Sequence, residues 1–252
     1  MELLLLSVAS MLGGFIDAVV GGGGLIMVPA LFATFPGAMP ATLMGTNKSA
    51  SILGTTLATW QFSRRVAMNW PVLLPAAAVG FVFSFAGAGL LTVVPADRLR
   101  DVLPVLLVVL LIYTLAKKEL GRSHAPRLHG RAEKYAACSI GALVGFYDGF
   151  FGPGTGSFFV FLFVRVLGYD FLHASASAKL LNVATNGAAL LLFGFTGHVW
   201  WHFALMLAAA NIVGSLLGTY MAMRHGSGFV RVVFIGVVSA LIVKTSWDAW
   251  WR

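Results

Sequence analysis

The chain has 252 residues, of which 59% are hydrophobic and only 10% charged, and its mean hydropathy is +0.88. A soluble domain carries roughly 25% charged residues, so this composition excludes a single water-facing globule and leaves lipid as the solvent. The formal net charge of +8 does not point to nucleic acid, because Lys and Arg sit mostly in short stretches between apolar runs, the pattern of cytoplasmic membrane loops.

Ten apolar elements follow in chain order. They run over 2–20, 25–35, 42–62, 70–93 and 99–116, then 135–151, 157–167, 172–193, 199–223 and 229–247. A spanning helix needs about 20 mostly apolar residues, and the second element of each half is too short for that. The expectation is an all-α polytopic membrane protein with about eight spanning helices and two short half-helices. The first run opens with Met1-Glu2 and has no basic segment before it, so it reads as a membrane segment and not a cleaved signal peptide. A hydrophilic stretch carrying Lys117, Lys118, Arg122, Arg127, Arg131 and Lys134 against Glu119 and Glu133 divides the chain. The predicted organisation is repeat one at 1–116, a basic cytoplasmic loop at 117–134, and repeat two at 135–252.

The halves align at one constant offset of 131 positions. It places Gly14-Phe15-Ile16-Asp17 on Gly145-Phe146-Tyr147-Asp148, Gly21 on Gly152, Gly23 on Gly154, and Lys48 on Lys179. Chance alignment of Gly and Leu is cheap in such a composition, but Asp and Lys are scarce here. Loop charge sets the relative orientation of the copies. Arg64-Arg65 marks the loop after the third element as cytoplasmic, whereas its counterpart, Gly194 to Gly197, is uncharged. The next turn of the second half carries Arg224 and Arg231. The sides are therefore swapped, which predicts an inverted-topology repeat with both termini outside.

Each copy contains a glycine-rich break: Gly21-Gly22-Gly23-Gly24 in the first, and Gly152-Pro153-Gly154-Thr155-Gly156-Ser157 in the second. Neither continues a helix cheaply, and backbone groups freed within a bilayer must be satisfied by protein or by water in a cavity. The short element after each break starts with unpaired N–H groups and the positive end of a helix dipole, a ready anion site. The plainer reading makes the breaks tight turns of helical hairpins.

A polar helix follows each break, with Gly45-Thr46-Asn47-Lys48-Ser49 in copy one and Ala178-Lys179-Leu180-Leu181-Asn182 in copy two, continuing to Thr185-Asn186. A lysine at mid-membrane costs about 2.5–3.5 kcal/mol on an insertion scale, so it faces a partner or a cavity. Two lysines and two helix N-termini make a positively biased pocket whose expected ligand is an anion. Alternatively Lys48 and Lys179 only neutralise Asp17 and Asp148, and the two readings are compatible because an anion could compete with the aspartate. Asp17 and Asp148 are proton-relay candidates, or they hydrogen-bond the loose N–H groups of the breaks.

Other signals carry less. His198 and His202 are four residues apart and could share a metal, but they flank Trp200-Trp201, and an interfacial aromatic belt is the better reading. Cys138 is the lone cysteine, so neither an internal disulfide nor a cysteine metal site is expected. Gly80, Ser84 and Ala88, like Gly214 and Gly218, have the small-residue spacing of close helix packing. The run from Gly152 lacks the Gly-Lys-Ser/Thr ending of a phosphate loop. No catalytic residue, cofactor or metal is expected.

The motifs Gly14-Phe15-Ile16-Asp17 with its glycine run, Thr46-Asn47-Lys48, Gly145 to Pro153 and Ala178 to Asn182 resemble the TauE/SafE sulfite exporter family, and more narrowly its YfcA-type bacterial members. The resemblance covers essentially the whole chain. It implies a multi-pass transporter of the bacterial inner membrane for sulfite, sulfoacetate, thiosulfate or another small sulfur-containing or organic anion. The sulfur chemistry comes from the resemblance alone. Pro153 and Thr155 interrupt the glycine pattern of copy two, so the two halves of the site need not bind alike.

The expected function is thus a secondary transporter of a small anion, working by rocking of one copy against the other. Gly21, Gly22, Gly23, Gly24, Asn47, Lys48 and Ser49 would bind the anion from copy one. Gly152, Pro153, Gly154, Thr155, Lys179 and Asn182 would bind it from copy two. Asp17 and Asp148 would couple transport to protons or hold the breaks in shape. An anion channel, a membrane enzyme and a non-transporting assembly factor are the alternatives, and a homodimer is compatible with the sequence.

Overall fold

The computed structural model describes residues 2–35, 37–92 and 124–250. The predicted element at 99–116 and the loop residues Lys117, Lys118, Glu119 and Arg122 lie outside the described residues. Regular structure among the described residues is entirely helical.

The first half contributes α1 (Glu2–Val20), α2 (Gly24–Thr34), α3 (Pro40–Ser63) and α4 (Trp70–Leu91). The second contributes α5 (Gly130–Phe150), α6 (Thr155–Leu162) running into a π-helical turn (Phe163–Leu167), α7 (Phe171–Phe195) and α8 (Trp201–Trp250). Pro40 and the pair Trp70-Pro71 open their helices where a missing N–H costs nothing. Within α8, Gly226 (φ 69°, ψ −162°) breaks the helix, in the turn between the elements predicted at 199–223 and 229–247.

α5 starts at Gly130, so Arg131, Glu133 and Lys134 form its first turns and not the end of the loop. The sequence pattern marks where apolarity begins, whereas this helix begins in polar sequence before it. α2 and α6 span 11 and 8 residues. At about 1.5 Å per residue neither can cross a membrane alone.

Four described segments are long and apolar enough to cross a membrane: Leu3–Val20, Trp70–Leu91, Phe171–Phe195 and Trp201–Gly236. α3 and α5 have 24 and 21 residues, which is sufficient length, but they spend helical positions on Thr, Asn and Lys in one case and on Arg, Glu, Lys and Asp in the other.

Three of the four pairs of helix starts fall at one spacing. Thr155 lies 131 positions after Gly24, Phe171 131 after Pro40, and Trp201 131 after Trp70. α1 packs along α8 and α4 along α5, with α3 and α7 between them. These contacts are close enough to require glycine. A Cβ on Gly214 would stand 1.8 Å from the Met11 carbonyl oxygen, and one on Gly149 would stand 1.9 Å from that of Ser84. The exposed large side chains, among them Leu4, Leu5, Val82, Leu143, Leu205 and Leu217, suit a lipid-facing surface, since lipid is the only solvent that accepts so much apolar area without cost.

Candidate functional site

The chain leaves the helix at both predicted breaks, and the breaks meet. Gly21 (φ 75°) and Gly152 (φ 84°), 131 positions apart, each turn the backbone left-handed just after a helix end, where any other residue would be strained. A Cβ on Gly21 would lie 2.3 Å from Gly156 Cα, one on Gly24 3.6 Å from Pro153 Cα, and one on Gly154 3.1 Å from the Leu25 side chain. Glycine allows two backbones to touch here.

The freed carbonyls find protein donors, as a lipid environment demands. Ser175 Oγ donates to the Val19 carbonyl at 2.6 Å and Ser157 Oγ to the Val20 carbonyl at 3.2 Å, so hydroxyls of the second half of the chain close the end of α1. In the second break, Tyr147 Oη donates to the Pro153 carbonyl at 2.7 Å and Thr155 Oγ1 to the Gly152 carbonyl at 2.6 Å. The two breaks therefore share geometry but differ in how they are held.

Beside this contact lies a small cavity of about 40 Å³. Of the residues expected to bind an anion, Gly21, Gly23, Gly24, Asn47 and Lys48 from copy one line it. Gly152, Gly154, Thr155 and Asn182 line it from copy two, and both Asp17 and Asp148 reach it. Gly22, Ser49, Pro153 and Lys179 do not line it. Ser49 Oγ is turned back onto the Gly45 carbonyl at 2.8 Å, the Gly22 carbonyl accepts from Leu25 N–H, and Pro153 packs against Gly24.

Lys48 is buried and faces the second half of the chain. Its Nζ lies 2.9 Å from Asp148 Oδ2, an ion contact that is not also a hydrogen bond at that oxygen, and donates to Asn186 Oδ1 at 2.9 Å. Lys179 is fully buried, and its Nζ has no hydrogen-bond partner. Asp17 is half-buried and accepts from Thr55 Oγ1 at 3.0 Å. The recorded partners of both carboxylates are thus side chains, Thr55 and Lys48, and not the loose N–H groups of the breaks.

Asn186 and Asn211 also line the cavity. Asn186 was visible in the sequence as the end of the polar run in α7, but without a designated role. Asn211 stands among Ala208, Ala209, Ala210 and Ile212. The offset of 131 positions sets it against Gly80, so that alignment gives it no signal; a polar residue isolated in an apolar run was the only one available. Its Nδ2 donates to the Ser10 carbonyl at 3.2 Å, which fastens α8 to α1.

His198 sits in the turn before α8 with Nδ1 2.9 Å from Thr196 Oγ1, and two residues on, Trp200 packs against Phe35 and Phe203.

The model of the family described as Sulfite exporter TauE/SafE matches residues 6–245. The chain belongs to the TauE/SafE family. It is 37% identical over 241 residues to the "Probable membrane transporter protein YfcA" of Escherichia coli K12, covering 95% of this chain and 88% of that one. It is 36% identical over 243 residues to the "Probable membrane transporter protein ORF9" of Sinorhizobium sp., covering 96% and 91%. A "Probable membrane transporter protein" of Haemophilus influenzae is 33% identical over 257 residues, covering 99% and 96%. The TauE/SafE chain is accordingly a membrane protein of a transporter family and not of an enzyme family.

Proposed function

We propose that the chain is a secondary transporter of a small anion, working by alternating access between two inverted repeats in the bacterial inner membrane. The observation that carries this reading is the Lys48–Asp148 ion pair, made between the two halves beside the meeting point of both breaks. A buried ion pair is a poor stabiliser compared with apolar packing. Its position at a cavity where a ligand can take one partner's place gives it a use. An anion entering the cavity competes with Asp148 for Lys48, with Asn47, Asn182 and Asn186 as hydrogen-bond donors around it. Asp148, losing its cation, then takes up a proton, so anion and proton travel together.

A cavity of about 40 Å³ accommodates roughly three waters, which fits a closed state and a small ligand. A sulfur oxyanion or small organosulfonate, such as sulfite, thiosulfate or sulfoacetate, is the substrate class in keeping with the family.

The repeat reading is supported by contacts that recur at the same offset. Gly14 meets Asn211 as Gly145 meets Gly80, and Gly218 meets Phe15 as Gly87 meets Phe146, every member displaced by 131 positions. Under that correspondence the counterpart of the Lys48–Asp148 pair is Lys179–Asp17. In this conformation the first pair is made and the second is not. Exchange of the two halves' conformations would break the first and form the second, which supplies two states of comparable energy for alternating access.

The test is uptake and efflux of labelled sulfite, thiosulfate and carboxylate anions in proteoliposomes. Saturable, proton-gradient-dependent flux that falls in both Lys48→Ala and Lys179→Ala is the expected result. Wild-type rates in both variants would remove the proposed site, and conductance without saturation would mark a channel.

A further inference from the structure

Away from the cavity, the segment that leads into α5 builds a second arrangement of polar groups. Ala125 N–H donates to the Gly168 carbonyl at 3.0 Å and Arg127 N–H to the Leu167 carbonyl at 2.9 Å, which pins residues 125–127 along the end of the π-helical turn. Gly168 (φ 80°) permits the approach, since a Cβ there would stand 2.2 Å from the Ala125 carbonyl oxygen. The pinning sets His124 against the start of α7. Asp170 caps that helix, Oδ1 accepting from His173 N–H at 2.8 Å, while Oδ2 lies 2.8 Å from His173 Nδ1. The His124 and His173 rings lie 4.1 Å apart between centroids, tilted by 31°.

We propose that His124, Asp170 and His173 form a binding site for a divalent transition-metal ion of the zinc class. Each offers a ligand atom, and these atoms lie within 4.8 Å of one another. Two imidazoles and one carboxylate are a donor set suited to zinc, cobalt or nickel rather than to magnesium or calcium. Ligand atoms around a tetrahedral zinc stand about 3.3 Å apart for bonds of about 2.0–2.1 Å, so the site must contract slightly. The freedom to do so is in His124, whose side chain is exposed, while Asp170 is buried and held by its cap. His173 Nδ1 already faces Asp170 Oδ2 at 2.8 Å, so a metal bound there would replace the proton between these two atoms, and Asp170 would keep its other oxygen on the helix cap.

A second carboxylate lies close by. Glu133 accepts from Tyr169 Oη at 2.5 Å and from Asn69 Nδ2 at 3.1 Å, and the Tyr169 ring lies 5.1 Å from that of His124. Two carboxylates around two imidazoles make an acidic spot within the most basic stretch of a chain of net charge +8. A dication is the counter-ion that such a spot selects. Once bound, it would tie the segment between the two halves to the first turn of α7, the helix that carries Lys179.

Binding is read without reference to transport, so failure of the transport reading leaves this test intact. The purified chain in detergent is titrated with zinc against a chromophoric chelator, and with cobalt by its visible ligand-field absorption. One saturable equivalent is expected, weakened at least tenfold in both His124→Gln and His173→Gln and unchanged in the His198→Gln/His202→Gln double variant. His124 is an exposed loop residue, so its exchange keeps the fold even if His173→Gln disturbs the α7 cap. Absence of saturable binding, or binding that survives His124→Gln, or binding lost only with His198 and His202, would overturn the site and leave a helix cap with a stacked imidazole.

Discussion

Lys48 of the first half and Asp148 of the second meet at 2.9 Å with both side chains only 4% exposed. Removing one member of such a pair strands a buried charge, which costs roughly 3–5 kcal/mol, while replacing both by neutral groups of similar shape is close to neutral. Lys48→Met should therefore lower stability by about 3 kcal/mol or more, and Lys48→Met/Asp148→Asn should restore most of it without restoring flux. Thermal unfolding in detergent and proteoliposome transport, measured on the same variants, separate the structural role of the pair from its use in transport. Full transport by the double variant would show that the pair only holds the halves together.

Lys179 behaves oppositely. Its buried Nζ has no hydrogen-bond partner in this conformation, and an unsatisfied buried donor costs about 1–3 kcal/mol. Lys179→Met should raise the melting temperature rather than lower it, and should still reduce transport, because the counterpart pair with Asp17 can no longer form in the other state. A variant that is both more stable and fully active would remove the exchange of pairs from the mechanism. Asp17→Asn should reproduce the transport defect with a smaller change in stability, since Asp17 is half-buried and is supported here by Thr55.

Much of this is legible in the amino-acid sequence. Gly21 and Gly152 could be paired because the Asp17/Asp148 and Lys48/Lys179 positions fix the register between the halves, and both glycines take positive φ. Helix ends marked by Pro40, Trp70-Pro71 and the breaks were readable to within two or three residues. The start of α5 was not, because its first turns are polar and helix periodicity is sought in apolar sequence. The partner choice was not legible either. Sequence offers two lysines and two aspartates, and only packing decides that Lys48 reaches Asp148 while Lys179 stays alone. Asn211 was missed because the 131-residue offset sets it against Gly80, so the alignment that exposes other site residues hides this one. His124, Asp170 and His173 have no common sequence spacing; the backbone pairing of 125–127 with 167–168 brings them together.

The glycine contacts between α1 and α8, and between α4 and α5, give a direct measure of how close packing must be. Gly149→Ala and Gly214→Ala would each put a methyl within 2 Å of a backbone carbonyl, the Cβ standing 1.9 Å from Ser84 O and 1.8 Å from Met11 O. Rigid backbone must then move apart, at a cost of about 1–3 kcal/mol. Gly228→Ala, where a Cβ meets nothing within 4 Å, is the control and should be neutral or slightly stabilising. If all three melt alike, the small-residue stripes are not the fastening between these helix pairs.

The proposed inversion of the two halves makes a prediction about sides. Arg64 is exposed at the end of α3, and Thr196 is exposed at the end of α7, its counterpart. In a parallel duplication both ends would face one compartment. Under the positive-inside rule, the basic turn at Arg64-Arg65 faces the cytoplasm and the uncharged turn at Thr196 faces outward. With Cys138→Ser as background, Arg64→Cys should react with an impermeant maleimide only in inside-out vesicles, and Thr196→Cys only in right-side-out ones. Arg64 lies over the Trp60 ring at 5.1 Å, which places an aromatic anchor beside the charge at that boundary, so Gln61→Cys one turn earlier should label more slowly than Arg64→Cys. Labelling of both positions from one side would rule out the inversion, and with it the exchange of the Lys48–Asp148 and Lys179–Asp17 pairs as the basis of alternating access.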